Sequence, residues 1–236
     1  MKSVKTIFFL LVLSLAISCN DKDEENTTLI GDVVVVSKKS GDNTVYALAY
    51  YAYAFTNLKS VKVTEAGSSN LVDLVLSGAY MNNYFVKEPT DADFLTTKPS
   101  AGTFTFDAEF ETGSTNVAQD ILTSDIIDPV TIETCQYSVT NSRAEFKWTA
   151  LTGADSYSIG IFDASGNTVF MSNPITNTYT NVYLDANASG WISNQPVIGE
   201  TYTVRIFAFK YEDSNNFDSG NIQSTSYSQA TMVWGQ

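Results

Sequence analysis

The chain has 236 residues, with 13 Lys and Arg against 26 Asp and Glu, for a formal net charge of −13. So acidic a surface repels phosphates and argues against nucleic acid as a partner. Histidine is absent, which removes Ser-His-Asp and Cys-His catalysis and His-ligated zinc.

Lys2 and Lys5 are followed by a nearly unbroken apolar run over residues 7–17. That run is shorter than the roughly 20 residues a spanning helix needs, and it suits the apolar region of a secretory signal. Leu15-Ala16-Ile17-Ser18-Cys19 resembles a lipobox, with Ile17 and Ser18 departing from the usual residues and Leu one place early. Asn20-Asp21-Lys22-Asp23-Glu24-Glu25-Asn26 resembles the acidic signal that sends Bacteroidetes lipoproteins to the cell surface. These resemblances imply a signal peptide over residues 1–18 and an acylated Cys19. Residues 19–28 are expected to be a flexible acidic tether, too polar to bury a core. The implied location is the outer membrane, at the cell surface, with the N-terminal lipid as the membrane contact. One acyl chain binds only reversibly, whereas the two or three of a lipoprotein hold. Removing residues 1–18 deletes two Lys and no acid, so the mature chain is still more acidic. With Cys19 acylated, Cys135 has no disulfide partner.

Apolar alternation with period two dominates the rest of the chain, predicting an all-β fold. A first strand is expected over residues 32–37. Residues 46–55 read Tyr-Ala-Leu-Ala-Tyr-Tyr-Ala-Tyr-Ala-Phe. Their large residues fall at 46, 48 and 50, then at 51, 53 and 55, a change of phase that predicts a strand with a bulge. Further strands are expected over residues 61–64, 71–76 and 80–87. In residues 103–110, Phe104, Phe106, Ala108 and Phe110 share one face, the half-buried pattern of an antiparallel sheet. Ala101-Gly102-Thr103-Phe104-Thr105-Phe106 resembles the penultimate strand of bacterial Ig-like domains.

The pattern breaks around residues 124–130, where Asp125, Asp128 and Pro129 punctuate it. Two tandem β-sandwiches are therefore expected, over residues 29–128 and 129–236, each of ordinary sandwich size. In the second, Thr134-Cys135-Gln136-Tyr137 reads as a strand holding a structural thiol. Phe146-Lys147-Trp148 alternates, and residues 154–162 and 168–171 flank a turn at residues 163–167 with Gly166 free to adopt positive φ. Tyr202, Val204, Ile206 and Ala208 share a face. Trp148, the Gly153-Ala154-x-x-Tyr157 segment and the Gly199-x-x-Tyr202-x-Val204-x-Ile206-x-Ala208 run together resemble a fibronectin type III domain. That resemblance implies a core role for Trp148 and a tyrosine corner at Tyr202, whose hydroxyl bonds back to the chain. It implies a scaffold for recognition and no chemistry.

Two loops offer candidate contacts. Trp191, with Asn187 and Asn194 nearby, either stacks on a sugar ring or folds back to plug the sandwich end. Asp213, Asn215 and Asp218 offer oxygens that suit calcium, but no Glu closes the loop at the required spacing, and a solvated turn serves as well. No cofactor motif is present and no carboxylate pair can be assigned from sequence. The expected function is non-catalytic binding or adhesion, with a glycan or a surface protein as partner. One rival is a fimbrial subunit, which in Bacteroidetes matures by cleavage after an early Arg; here the only Arg residues are Arg143 and Arg205. The other rival is a small glycosidase.

Overall fold

A computed structural model describes residues 26–65, 67–77, 82–192, 195–213 and 221–236. The signal segment, Cys19 and Asn194 lie outside the described residues. The fold is all-β, and among the described residues no helix is long and apolar enough to cross a membrane. Residues 26–28, expected to end the tether, are already tied down. Thr56 Oγ1 donates to Asn26 O and Asn116 Nδ2 to Thr27 O, each at 2.7 Å.

Leu29–Ser40 (β1) and Asn43–Ala54 (β2) form a hairpin whose register runs without interruption from the Leu29–Ala54 pair to the Ser40–Asn43 pair. The bulge expected in residues 46–55 is therefore not there. Tyr46, Tyr50, Ala52 and Ala54 enter the first core. Ala49 and Tyr51 join Val34 and Val36 in a separate cluster. The aromatic phase changes because β2 is covered on both faces, so each face carries its own large side chains.

The chain continues through Leu58–Thr64 (β3), Leu71–Asp73 (β4), Val75–Leu76 (β5), Tyr84–Lys87 (β6), Gly102–Phe110 (β7) and Thr115–Leu122 (β8). The single strand expected over residues 71–76 is two. β4 pairs with β3 and β5 with β6, and the chain changes sheets at Leu74, which is buried with its N–H on Val61 O at 3.0 Å. The resulting orders, β1-β2-β6-β5 and β4-β3-β7-β8, match the two sheets of an Ig sandwich. Phe104, Phe106, Ala108 and Phe110 are all buried, as their alternation requires. Phe106 packs directly on the backbone of Gly31, where a Cβ would fall 2.4 Å from the ring.

The second half comprises Ile132–Ser138 (β9), Arg143–Trp148 (β10), Ser156–Phe162 (β11), Thr168–Met171 (β12), Ile175–Thr176 (β13), Asn181–Leu184 (β14), Thr201–Tyr211 (β15) and Ile222–Val233 (β16). β14-β10-β9 form one sheet; β12-β11-β15-β16 lie in the other, with β13 also on β11. The second core gathers Trp148, Tyr157, Tyr202, Val204, Ile206, Ala208 and Trp234. In the turn at residues 163–167, Asp163 Oδ1 accepts the N–H groups of Ser165 and Asn167, and Gly166 takes φ 84°. Tyr202 Oη accepts the N–H of Val197 at 3.0 Å, five residues upstream, as a tyrosine corner should. Tyr202→Phe is expected to lower stability by about 0.5–1.5 kcal/mol, the net worth of one such bond, seen as a lower urea midpoint at unchanged slope. An unchanged midpoint would show that the bond contributes nothing.

The two halves share one sheet. β1 runs parallel to β16, from the Val35–Ser224 pair to the Lys38–Tyr227 pair, which joins the groups into nine strands. The pairing closes two strand edges that would otherwise present free backbone groups. Residues 123–131 form no strand. They are held by side chains of the seam instead: Ser37, Ser226 and Ser228 donate to the carbonyls of Ile127, Asp128 and Val130. Gln223 Oε1 accepts the N–H of Thr123, and Ser224 Oγ that of Ile127. This accounts for a row of buried serines in β16, each of which serves a backbone group that no strand pairs.

Candidate functional site

The loop expected to bind a ligand is folded onto the second sandwich. Trp191 is half-buried, its ring 5.0 Å from Phe170 and 5.4 Å from Trp234, and its Nε1–H donates to Asp185 O at 3.3 Å. Asn187 is exposed, and its Oδ1 accepts Gln195 Nε2 at 2.9 Å. This geometry corresponds to the plug. Of the calcium candidate, Asp213 is described, while residues 214–220 lie outside the described residues. Cys135 is half-buried in β9, and burial pushes its thiol up to about 11, away from reactivity.

A concave feature lies on the outer face of the nine-stranded sheet, across the seam. There a groove of about 810 Å³ is lined from both halves. β1 and β16 supply an apolar floor of Val34, Val36 and Ile222. Aromatic side chains rise around it: Tyr51 and Tyr53 from β2, Tyr84 from β6, Phe207 and Phe209 from β15, and Tyr227 from β16. Tyr51 and Tyr84 lie parallel, with ring centroids 6.5 Å apart and planes 10° apart. A second cavity of about 1140 Å³ adjoins the groove and shares Lys38, Asp91, Phe94, Arg205 and Tyr227 with it.

The two ends of the groove differ in charge. At one end Lys38 pairs with Asp91 at 2.5 Å, and the Arg205 guanidinium lies against Phe162 and Tyr227. Toward the other, Asp32 on β1 meets Asp120 of β8 and Glu212 just after β15. One carboxylate oxygen from each lies within 4.8 Å of the others. Asp120 is there because β16 pairs only with residues 35–38 of β1. Upstream of that, Asp120 Oδ2 takes the place of a strand and accepts the N–H of Val33 at 2.7 Å. Burial, then Asp120, then Glu212 push the Asp32 carboxyl up to about 7. Glu212 is raised by burial and by Asp120 beside it. Asp32 Oδ1 is shut from solvent and has no hydrogen-bond partner among the described residues.

Adjacent carboxylates with raised proton affinity invite a hydrolytic reading. Glycoside hydrolysis needs the two groups to flank a bond, roughly 5 Å or more apart with a sugar between. Here Asp120 is 8% exposed, both its oxygens accept backbone N–H groups, and Glu212 is in hydrogen-bond contact with it. No room is left between them for a glycosidic oxygen.

Sequence reasoning does not find this region. Phe207 and Phe209 alternate with the core residues of β15, and Tyr51 and Tyr53 with those of β2; these second, aromatic faces are the signals of it in the chain. Asp32, Asp120 and Glu212 carry no shared local signal, since each comes from a different strand or loop.

No family model and no curated protein matches the chain. Among solved structures, a two-domain fibronectin type III segment of chicken tenascin aligns over 89% of this chain and 99% of its own, at 13% identity and a TM-score of 0.30. Fibronectin(III)-like modules of Clostridium thermocellum CbhA align over 86% and 93%, at 9% identity and 0.28. The BSP domain of a biofilm associated protein aligns over 97% and 55%, at 12% identity and 0.27. The sandwich assignment rests on the sheet orders and the Tyr202 corner, not on overlaps of this size.

Proposed function

We propose that this chain is a lipid-anchored, non-catalytic surface module that adheres to a protein partner. The observation that carries the reading is the shared sheet. It locks two sandwiches together and places an aromatic groove across their junction, where residues of both halves line it. The lipobox-like segment ending at Cys19 and the acidic residues after it support export and anchoring. Glycan capture at Trp191 is the second reading; it would use the part of the ring that Phe170 and Trp234 leave uncovered.

The test uses cells displaying the protein. Wild type takes up a palmitate analogue and adheres to partner cells or matrix, and Cys19→Ala loses both. Tyr51→Ala with Phe209→Ala keeps the label and loses adhesion, while Trp191→Ala keeps both. A labelled Cys19→Ala chain would overturn the anchor, and full adhesion by the groove variant would overturn the adhesive face. Sugar-dependent adhesion lost only in Trp191→Ala would establish the second reading instead.

A further inference from the structure

We propose that the groove takes an extended segment of a partner protein and that a lysine or arginine side chain of that segment docks among Asp32, Tyr51 and Tyr84. This rests on the adhesive reading above and names the chemistry of its partner.

Among the described residues, no Lys or Arg pairs with the acids at the acidic end of the groove. Asp32, Asp120 and Glu212 crowd three carboxylates together there. Glu88 adds a fourth acid to the same end, accepting the Tyr51 hydroxyl at 2.8 Å. Asp32 lines the groove. Like charges in contact are costly. A ligand that brings a positive charge relieves that repulsion.

The neighbouring rings select an organic cation. The parallel Tyr51 and Tyr84 rings offer negative faces, which attract ammonium and guanidinium groups. A neutral sugar would supply hydroxyl donors but leave the repulsion among the acids in place. A bare divalent ion would meet carboxylates already in use: Asp120 accepts Val33 N at 2.7 Å and Ile121 N at 2.8 Å, and Glu212 accepts Asn221 Nδ2 at 2.9 Å. It would also gain little from tyrosine faces.

The rest of the groove fits the rest of such a segment. From Asp32 to Lys38 along β1 is six residue steps, roughly 20 Å at the rise of a strand, so an extended peptide of similar length spans it. Val34, Val36, Phe207 and Phe209 accept apolar side chains on the way. Arg205 stands at the far end, beside a Lys38 already paired with Asp91, and sets the orientation by repelling a second cation there.

The test uses the full chain in detergent and a library of extended octapeptides, each with one Lys near an end, read by fluorescence anisotropy. Lys-bearing members should bind, and their Lys→Gln counterparts about tenfold or more weaker, the scale of one charged hydrogen bond with a cation–π contact. Asp32→Asn should weaken binding similarly, while Glu200→Gln, an exposed acid remote from the groove, should not. Thermal melting of each variant confirms that it is folded. The proposal is overturned if no member binds in a Lys-dependent way, or if Asp32→Asn binds like wild type. It is also overturned if calcium chloride alone binds tightly and Asp32→Asn abolishes that binding, which would make the cluster a metal site. Groove-dependent adhesion without Lys-dependent binding would remove this inference and leave the adhesive reading standing.

Discussion

Trp148→Ala is expected to cost the protein about 3–5 kcal/mol of stability, the usual range for deleting a fully buried large aromatic. Trp148 is 1% exposed in the middle of the second core, and its ring meets Tyr157 edge-on at 5.4 Å and 72°. Truncation leaves a cavity between two sheets whose strands cannot close up without breaking their hydrogen bonds. Its Nε1–H is buried without a partner among the described residues, which makes a second substitution informative. Trp148→Ala and Trp148→Phe both remove that unpaired donor, but Trp148→Phe keeps most of the ring and so leaves a much smaller cavity. Chemical denaturation should therefore show Trp148→Phe well above Trp148→Ala. A Trp148→Ala loss below about 1 kcal/mol would mean that the site collapses freely and is not a packed core.

The second large effect is a pH dependence. Asp32 has a carboxyl near 3.8 when unfolded and about 7 when folded. Below the unfolded value both states are protonated and Asp32 carries no penalty. As pH rises past 4 the unfolded chain ionises while the folded one resists, so stability falls until the pH passes about 7. The full shift corresponds to about 4 kcal/mol, and solvent screening at this half-buried site reduces it to roughly 2 kcal/mol. Asp32→Asn cannot ionise, so its stability relative to wild type should rise by that amount between about pH 4 and pH 8. Urea melts of both proteins across this window measure the difference directly. A constant difference would show that Asp32 is ionised in the folded protein throughout, with its charge already compensated. The same charge is what the proposed lysine or arginine would neutralise, so binding should cut the wild-type loss as well.

Much of the fold can be read from the residues because its cause is local. Successive side chains of a strand point to opposite faces, so Phe104, Phe106, Ala108 and Phe110, or Tyr202, Val204, Ile206 and Ala208, declare both the strand and its buried face. Gly166 in its turn follows from the same short-range logic, whereas the core place of Trp148 and the corner at Tyr202 are implied by the resemblance to fibronectin type III domains. The failures have an equally definite cause. β2 reads as bulged because alternation assumes one buried face, and here the second is covered by parts of the chain far away. β8 escapes the pattern because Val117 and Ile121 are exposed while Leu122 is buried, so its apolar residues fall on both sides. Residues 71–76 look like one strand because nothing in six residues tells that Leu74 is where the chain changes sheets.

What tertiary structure alone decided is the part that bears on function. The parallel pairing of β1 with β16 joins two strand edges nearly the whole chain apart, and edge matching leaves no periodic trace in either strand. Only that pairing explains the buried serines of β16, ends short of Val33 so that Asp120 must cap it, and brings Glu212 against Asp32. The groove exists for the same reason: its two walls belong to different sandwiches, and each is an ordinary outward-facing row of aromatics until the seam sets them side by side.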